Sequence, residues 1–337
     1  MGALDTSAAG FAAAPEPLLL LLAALVIEAL WPTRRRPGAF SASVLFGRLG
    51  RWLEQRLNRA QRSDHKRLTR GILAVAFLVV IALAAGFLTR SLRDVPFGWI
   101  VYLFVLVSAV SLRQALDDAR AIDAGLRTGA GAMQHAASHV FGPGAEAMGE
   151  PAIARRAAAH LAAQLVEGVV APVFWFLLLG PAGMLTYVAI AAAADIWPEH
   201  SARHQEFGLA VSRLRVALRW IPDWITASLI AAGAVLSPGG HPVQAMRAAA
   251  GALPQFRPSR GTRTAAALFG AMNIPVDTET LRPAGSRSPS PKWHGDASAA
   301  LRAAARSDVR RAAYLYRVSC LLGVAVLGLV ALLQFAA

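Results

Sequence analysis

The chain alternates long apolar blocks with stretches dense in arginine. A hydrocarbon core about 30 Å thick needs about 20 apolar residues in a helix to cross it. Residues 18–31 form a leucine-rich run broken only by Glu28, and with residues 12–17 ahead of it this segment is long enough to span. Residues 71–88 are uninterrupted, and residues 96–112 follow after a short basic turn at 89–95. Residues 169–196 form a fourth block, with Gly180-Pro181 in its middle as a kink or a break. Residues 221–236 are a shorter fifth block and residues 318–335 a sixth. The pattern predicts an all-α polytopic membrane protein with about six transmembrane helices, five to seven depending on whether the fourth block crosses once or twice.

Between the blocks the period changes. Phe46, Leu49, Leu53 and Leu57 fall on one helical side and Arg48, Arg51 and Arg56 on the other, which predicts an interfacial helix lying in the headgroup plane. Residues 112–126 set Leu112, Leu116, Ala119 and Ile122 against Arg113, Asp117, Asp118 and Arg120, a second amphipathic helix. Residues 152–166 are an alanine-rich helix, and residues 281–293 carry the Pro, Ser, Gly and basic content of a loop. The organisation is one membrane domain over 1–337, with a basic interfacial loop at 33–70, an amphipathic helical loop at 113–168 and a polar region at 238–317 before the last span.

Composition narrows the class. Hydrophobic residues make up 55% and charged residues 16%, against roughly 45–50% and about 25% in soluble chains. That excess excludes intrinsic disorder, and the single Cys320 excludes a disulfide framework or a cysteine zinc site. The net charge is +14. Eleven Lys and Arg crowd residues 33–70, whereas Arg90 and Arg93 alone mark 89–95, so the first loop is expected inside and the protein in the inner (cytoplasmic) membrane as a multi-pass protein. Arg34, Arg35 and Arg36 follow the first apolar run rather than precede it, which reads as a retained span and not a signal peptide. Most of the basic charge is assigned to membrane lipid and none to nucleic acid, which would want a folded basic module with interleaved aromatics. Arg260, Arg263 and Arg282 are the candidates for binding anionic small molecules such as phosphates.

Candidate chemistry is sparse. His200 and His204 are four residues apart with Glu199 and Glu206 beside them, a spacing that suits a metal on one helix face. His135 and His139 share the spacing but lack flanking acids, and neither pair matches a HExxH helix. His294 and Asp296, in Lys292-Trp293-His294-Gly295-Asp296, form a polar loop suited to touching a ligand. Glu28, Glu167 and Asp195 are acids at or near apolar blocks, where a charge is expensive unless paired or used. No GxSxG, Walker loop or GxGxxG occurs, and a Cys320 thiolate would be costly in a span.

One central stretch has a specific pattern: Glu167-Gly168-Val169-Val170-Ala171-Pro172-Val173-Phe174-Trp175, Gly180-Pro181-Ala182-Gly183, Tyr187, Phe207-Gly208, Arg213-Leu214 and Trp220-Ile221-Pro222. It resembles the CobD/CbiB family of cobalamin-biosynthesis membrane proteins. That family has a DGVVAP-x-FW block, a G-x-PGA turn, a Tyr before an NTLDSM motif, then FG, RLDD and a W/Y-IP segment. Phe46-Gly47-Arg48-Leu49, Trp52-Leu53-Glu54 and Arg56-Leu57-Asn58-Arg59 resemble its N-terminal interfacial helix. Ser307-Asp308-Val309-Arg310-Arg311-Ala312 resembles its C-terminal ending.

The resemblance implies adenosylcobinamide-phosphate synthesis, an amide-forming reaction joining an aminopropanol phosphate to the propionate carboxyl of a cobyric acid corrinoid, with ATP and magnesium held by acidic side chains. The departures all fall on polar positions. The family's Glu-Asn falls on Ala163 and Gln164, its Asp on Glu167, and NTLDSM on Ala191, Ala192, Ala193, Ala194, Asp195 and Ile196. The RLDD acids fall on Arg215 and Val216, the following Asn on Arg219, and the Arg after the IP on Trp224. Two readings stay open. As an enzyme the chain works through Glu167 and Asp195, with metal at His200 and His204 and substrate at Arg260, Arg263, Arg282, His294 and Asp296. As a noncatalytic membrane subunit, like the AmpE-type proteins that share the APxFW and W-x-P framework, it needs only its packed helices and other membrane protein subunits.

Overall fold

The computed structural model describes residues 16–30, 41–58, 64–93, 95–142, 144–198, 204–251, 262–274, 276–277, 293–294 and 306–336. Twelve α-helices occur among them: α1 Pro17–Leu30, α2 Ala42–Leu57, α3 Asp64–Leu92, α4 Gly98–Ala109, α5 Arg113–Thr128, α6 Ala130–Phe141, α7 Glu150–Leu165, α8 Ala171–Ile196, α9 Leu209–Val235, α10 Pro242–Gly251, α11 Thr262–Ala271 and α12 Arg306–Ala336. A π-helical turn at Val166–Val170 joins α7 to α8. One two-residue antiparallel pairing, β1 Val276–Asp277 with β2 Trp293–His294, sets Val276 opposite His294. The fold is all-α, as the apolar pattern predicts.

Helix is the outcome that lipid enforces, because only an internally bonded backbone tolerates a medium without water. Among the described residues four helical stretches are long and apolar enough to cross: 65–92, 98–128, 150–196 and 307–334. They contain the second, third, fourth and sixth expected spans. The first falls on α1, a shorter apolar helix. The fifth falls on the C-terminal half of α9, whose N-terminal half carries Arg213, Arg215 and Arg219. The third block is not one helix: α4 ends at Ala109 and Val110 is extended before α5 begins. In the fourth, Gly180 leaves helical geometry at φ 65 and ψ −154. Pro181 explains this, since it has no N–H to donate and bars its predecessor from the α region, and glycine alone accepts the positive φ without strain.

The described helices gather into two compact units, one within Met1–Ser111, Ala171–Arg219 and Leu327–Ala337, the other within Leu112–Val170 and Trp220–Val326. In the first unit α3 and α2 pack along α8, and α1 packs on α4. The contacts are made by small residues. A side chain at Gly86 would overlap the backbone of Ala182, and one at Gly71 the backbone of Phe207. Gly50 faces Ala193 and the Ile196 side chain. The side of α3 turned from these partners exposes Ile72, Leu73, Phe77, Val80, Phe87 and Leu88, a surface suited to hydrocarbon.

The apolar side of α2 packs on protein. Its side bearing Phe46 and Leu53 is buried, and Gly47 and Gly50 bring it against the end of α8, so protein rather than lipid covers that face. The opposite side exposes Trp52 and Leu45 beside its arginines, with the Arg56 guanidinium 5.6 Å from the Trp52 ring centroid.

In the second unit α5 packs on α6 and α7, and α11 packs on α7 and α10. Gly125 turns α5 closely past Ala132 and Met133. The described part of α12 in this unit is tied by hydroxyls: Tyr316 donates to the Leu112 carbonyl at 2.9 Å and Ser319 to the Leu229 carbonyl at 3.3 Å.

The packing argument makes a prediction. Gly86→Val forces α3 away from α8 and should destabilise the protein by about 1–3 kcal/mol or more, the usual range for overpacking. Gly131→Ala, in α6 with open space around it, should be neutral or stabilising by up to about 1 kcal/mol. Thermal melting in detergent compares the two, and equal melting points would refute the close-approach account.

Candidate functional site

The first unit collects polar side chains where α8 ends and α9 begins. Asp195 lies in the last turn of α8, where the helix dipole disfavours a negative charge. Arg215, one and a half turns into α9, offsets this by donating from Nη1 to Asp195 Oδ1 at 2.8 Å. The arginine side chain is 9% exposed and the aspartate 43%. Nearby in the same unit, His204 Nε2 and Glu54 Oε1 are 2.9 Å apart. Both side chains are nearly buried, and the pair ties α2 to the turn before α9.

Apolar residues shape the connection. Trp197 and Phe207 are fully buried and meet edge to face with ring centroids 5.0 Å apart. Gly208 donates its N–H to the His204 carbonyl at 2.6 Å, and its missing side chain lets it close on the Trp197 backbone. Trp175 donates its indole N–H to the Leu218 carbonyl at 3.1 Å, fixing α8 against α9. The APVFW and FG motifs therefore serve packing here. Within the alanines at 191–194, Ala193 and Ala194 are buried, and Ala193 meets α2 at Gly50.

The second unit holds the other described candidates. Glu167 sits in the π turn, half-buried and engaged in a contact. Such turns add a residue to the helical circuit and are frequent at functional sites. Arg263, second in α11, places its Cζ 4.1 Å from the Trp224 ring centroid. His160 Nε2 lies 3.2 Å from Asp118 Oδ2 and its ring meets Phe141 edge to face at 5.9 Å. Arg156 stands over the same Phe141 ring at 5.1 Å.

Of the residues singled out from the sequence, Asp195 and His204 fall in the first unit, and Glu167 and Arg263 in the second. Arg260, Arg282, Asp296 and His200 lie outside the described residues, and of His294 only the backbone is described. Glu28 is buried within α1 and has a contact of its own. Arg215, Glu54, Asp118 and His160 were not foreseen as polar partners. Their sequence separations of 20, 150 and 42 residues leave no local trace of the pairing. Glu54 and Asp118 lie on helices the sequence predicts as amphipathic, His160 on the alanine-rich one, and Arg215 on no predicted element. Among the described residues no three His, Cys, Asp or Glu side chains gather as a metal-ligand set. Magnesium needs oxygen donors, and Asp195, whose side chain is 43% exposed, has Oδ1 engaged by Arg215. The described residues do not supply the rest of its ligand set.

Comparison with known proteins gives the lineage. The family model described as CobD/Cbib protein matches residues 21–316. A protein of Sinorhizobium sp named "Cobalamin biosynthesis protein CobD" is 31% identical over 233 residues, 66% of this chain and 71% of its own length. One of the same name from Rhizobium meliloti (strain 1021) is 30% identical, over 67% of this chain and 71% of its own. A "Probable cobalamin biosynthesis protein CobD" from Pyrococcus abyssi (strain GE5 / Orsay) is 26% identical over 64% of this chain and 71% of its own. No solved structure matches. With a family match running through nearly all its helices, this chain belongs to the CobD/CbiB family.

Proposed function

We propose that the chain serves cobalamin biosynthesis in the inner (cytoplasmic) membrane as a noncatalytic member of its family, a membrane subunit or scaffold. One observation carries this reading: Arg215 Nη1 holds Asp195 Oδ1 at 2.8 Å. By the resemblance, Arg215 stands where the family has an acid. The substitution reverses a charge and neutralises the carboxylate beside it, so the place that would gather divalent cation holds an ion pair instead. A carboxylate engaged by a guanidinium is a poor ligand for a hard cation until that pair is broken. The alanines at 191–194, which replace polar family positions by the resemblance, support the same reading, since methyl groups supply no ligand and Ala193 packs against Gly50. On this reading the chain's partners are lipid, a corrinoid and other membrane protein subunits, and it uses neither ATP nor magnesium.

A second reading, an active amide-forming synthase, is favoured by the π turn that carries Glu167 in the block most similar to the family's DGVVAP. The two readings separate in one assay. Purified protein given adenosylcobyric acid, aminopropanol phosphate, ATP and magnesium should form cobinamide phosphate no faster than a protein-free control. Turnover that Glu167→Gln abolishes would establish the synthase.

The ion pair is testable by itself. Wild-type protein should show no saturable Mn²⁺ binding by calorimetry or paramagnetic resonance, and Arg215→Asp, which sets a second carboxylate beside Asp195, should gain it. Arg215→Gln serves as the control that removes the cation without adding a ligand. Mn²⁺ bound by the wild type and released by Asp195→Asn would overturn the closed-centre argument.

A further inference from the structure

Arg263 has a setting unlike that of the other described arginines. It is the second residue of α11, whose first turn contains no acid. A cation there is opposed by the positive end of the helix dipole. Its guanidinium is nonetheless held 4.1 Å from the Trp224 ring centroid, close enough for a strong cation–π contact that orients the planar fork. Its Nη1 is buried and finds no hydrogen-bond acceptor among the described residues. Of the other described side chains of α11, Thr264 is buried with a contact of its own, and Ala265, Ala266, Ala267, Leu268 and Phe269 are buried and apolar. Asp223, the acid next to Trp224 in sequence, has a contact of its own. A buried charged donor left without an acceptor carries its full desolvation penalty. An anion at this place would take up the unmet N–H and offset both the guanidinium and the helix end.

We propose that Arg263, stacked on Trp224, is the anchor of a binding site for a phosphate-bearing anion, whether a phosphorylated small molecule or the phosphate of a lipid headgroup. Phosphate suits the site better than a single carboxylate because its greater charge answers two positive features at once, and its oxygens match the spacing of the guanidinium fork. The indole holds that fork in one orientation, so little side-chain entropy remains to be lost on binding. The inference goes beyond the functional reading above, since binding requires no turnover and the Asp195–Arg215 pair takes no part in it.

The test uses the full chain in maltoside micelles free of phosphate. In one arm inorganic phosphate, and separately phosphoethanolamine, is titrated by calorimetry, with acetate as the comparison anion. In the other, phosphatidylglycerol or neutral monoacylglycerol is added to the micelles and the melting temperature is followed. Wild-type protein should bind phosphate in preference to acetate. Arg263→Gln should weaken binding by about tenfold or more, the effect expected of losing charged hydrogen bonds. Arg263→Lys should lie between them, and Trp224→Leu should weaken binding several-fold. Unchanged elution and melting of the unliganded variants exclude misfolding, with Arg263→Lys as the milder probe if Arg263→Gln fails to fold. Calorimetric binding that depends on Arg263 identifies a small phosphorylated ligand. An Arg263-dependent rise in melting temperature with phosphatidylglycerol alone identifies the headgroup. A response to either ligand that is equal in wild type, Arg263→Gln and Arg263→Lys, or no response in either arm, would overturn the proposal.

Discussion

Close approach of helix backbones is the constraint on which the described architecture rests. Apolar side chains gain little by leaving lipid for a protein interior, so membrane helices associate through packing and internal bonds rather than through escape from water. Small residues answer that requirement. Gly86 against Ala182, Gly71 against Phe207, and Gly50 against Ala193 and Ile196 bring α3 and α2 onto α8. Ala193 belongs to the same solution, since α2 approaches it at Gly50. Part of what looks in sequence like the erasure of a polar motif is, in the fold, a surface against which α2 packs.

The polar groups that remain are arranged to satisfy one another. Charges in or beside a low-dielectric medium are expensive alone and tolerable in pairs. Asp195 and Arg215 join the end of one helix to the start of the next, and Glu54 and His204 join α2 to the same turn. In the second unit His160 and Asp118 connect α7 to α5. Each pair also fixes a helix orientation that apolar packing leaves loosely specified. Charges spent on holding helices in register are less available for chemistry, which links the architecture to the functional proposal. Glu167 differs from these in sitting where the helix itself departs from regular geometry, and Arg263 in lying over an aromatic ring.

Much of the fold was legible in the residues because membrane helices obey a one-dimensional rule. An uninterrupted apolar run such as 71–88 has few alternatives to a helix, and α3 forms over it. Gly180-Pro181 announced its break through backbone chemistry alone. The amphipathic period over 112–126 and the alanine-rich stretch over 152–166 likewise became α5 and α7 with boundaries close to those expected. Less legible were the break after Ala109, where Val110 turns extended without a Gly or Pro to mark it, and the merging of residues 221–236 into a longer helix that starts at Leu209.

Sequence by itself determined the class, the helices and the lineage, since length, apolarity and a gapless run of framework motifs are properties of the chain read in order. Tertiary structure alone decided what covers the apolar face of α2, because the period marks that side and only the neighbouring α8 shows that protein meets it. It alone decided that Arg215 meets Asp195 and that Arg263 lies over Trp224, for a salt bridge or a stacked cation depends on distances between residues far apart in the chain. No local pattern encodes such distances; the packing of whole helices sets them.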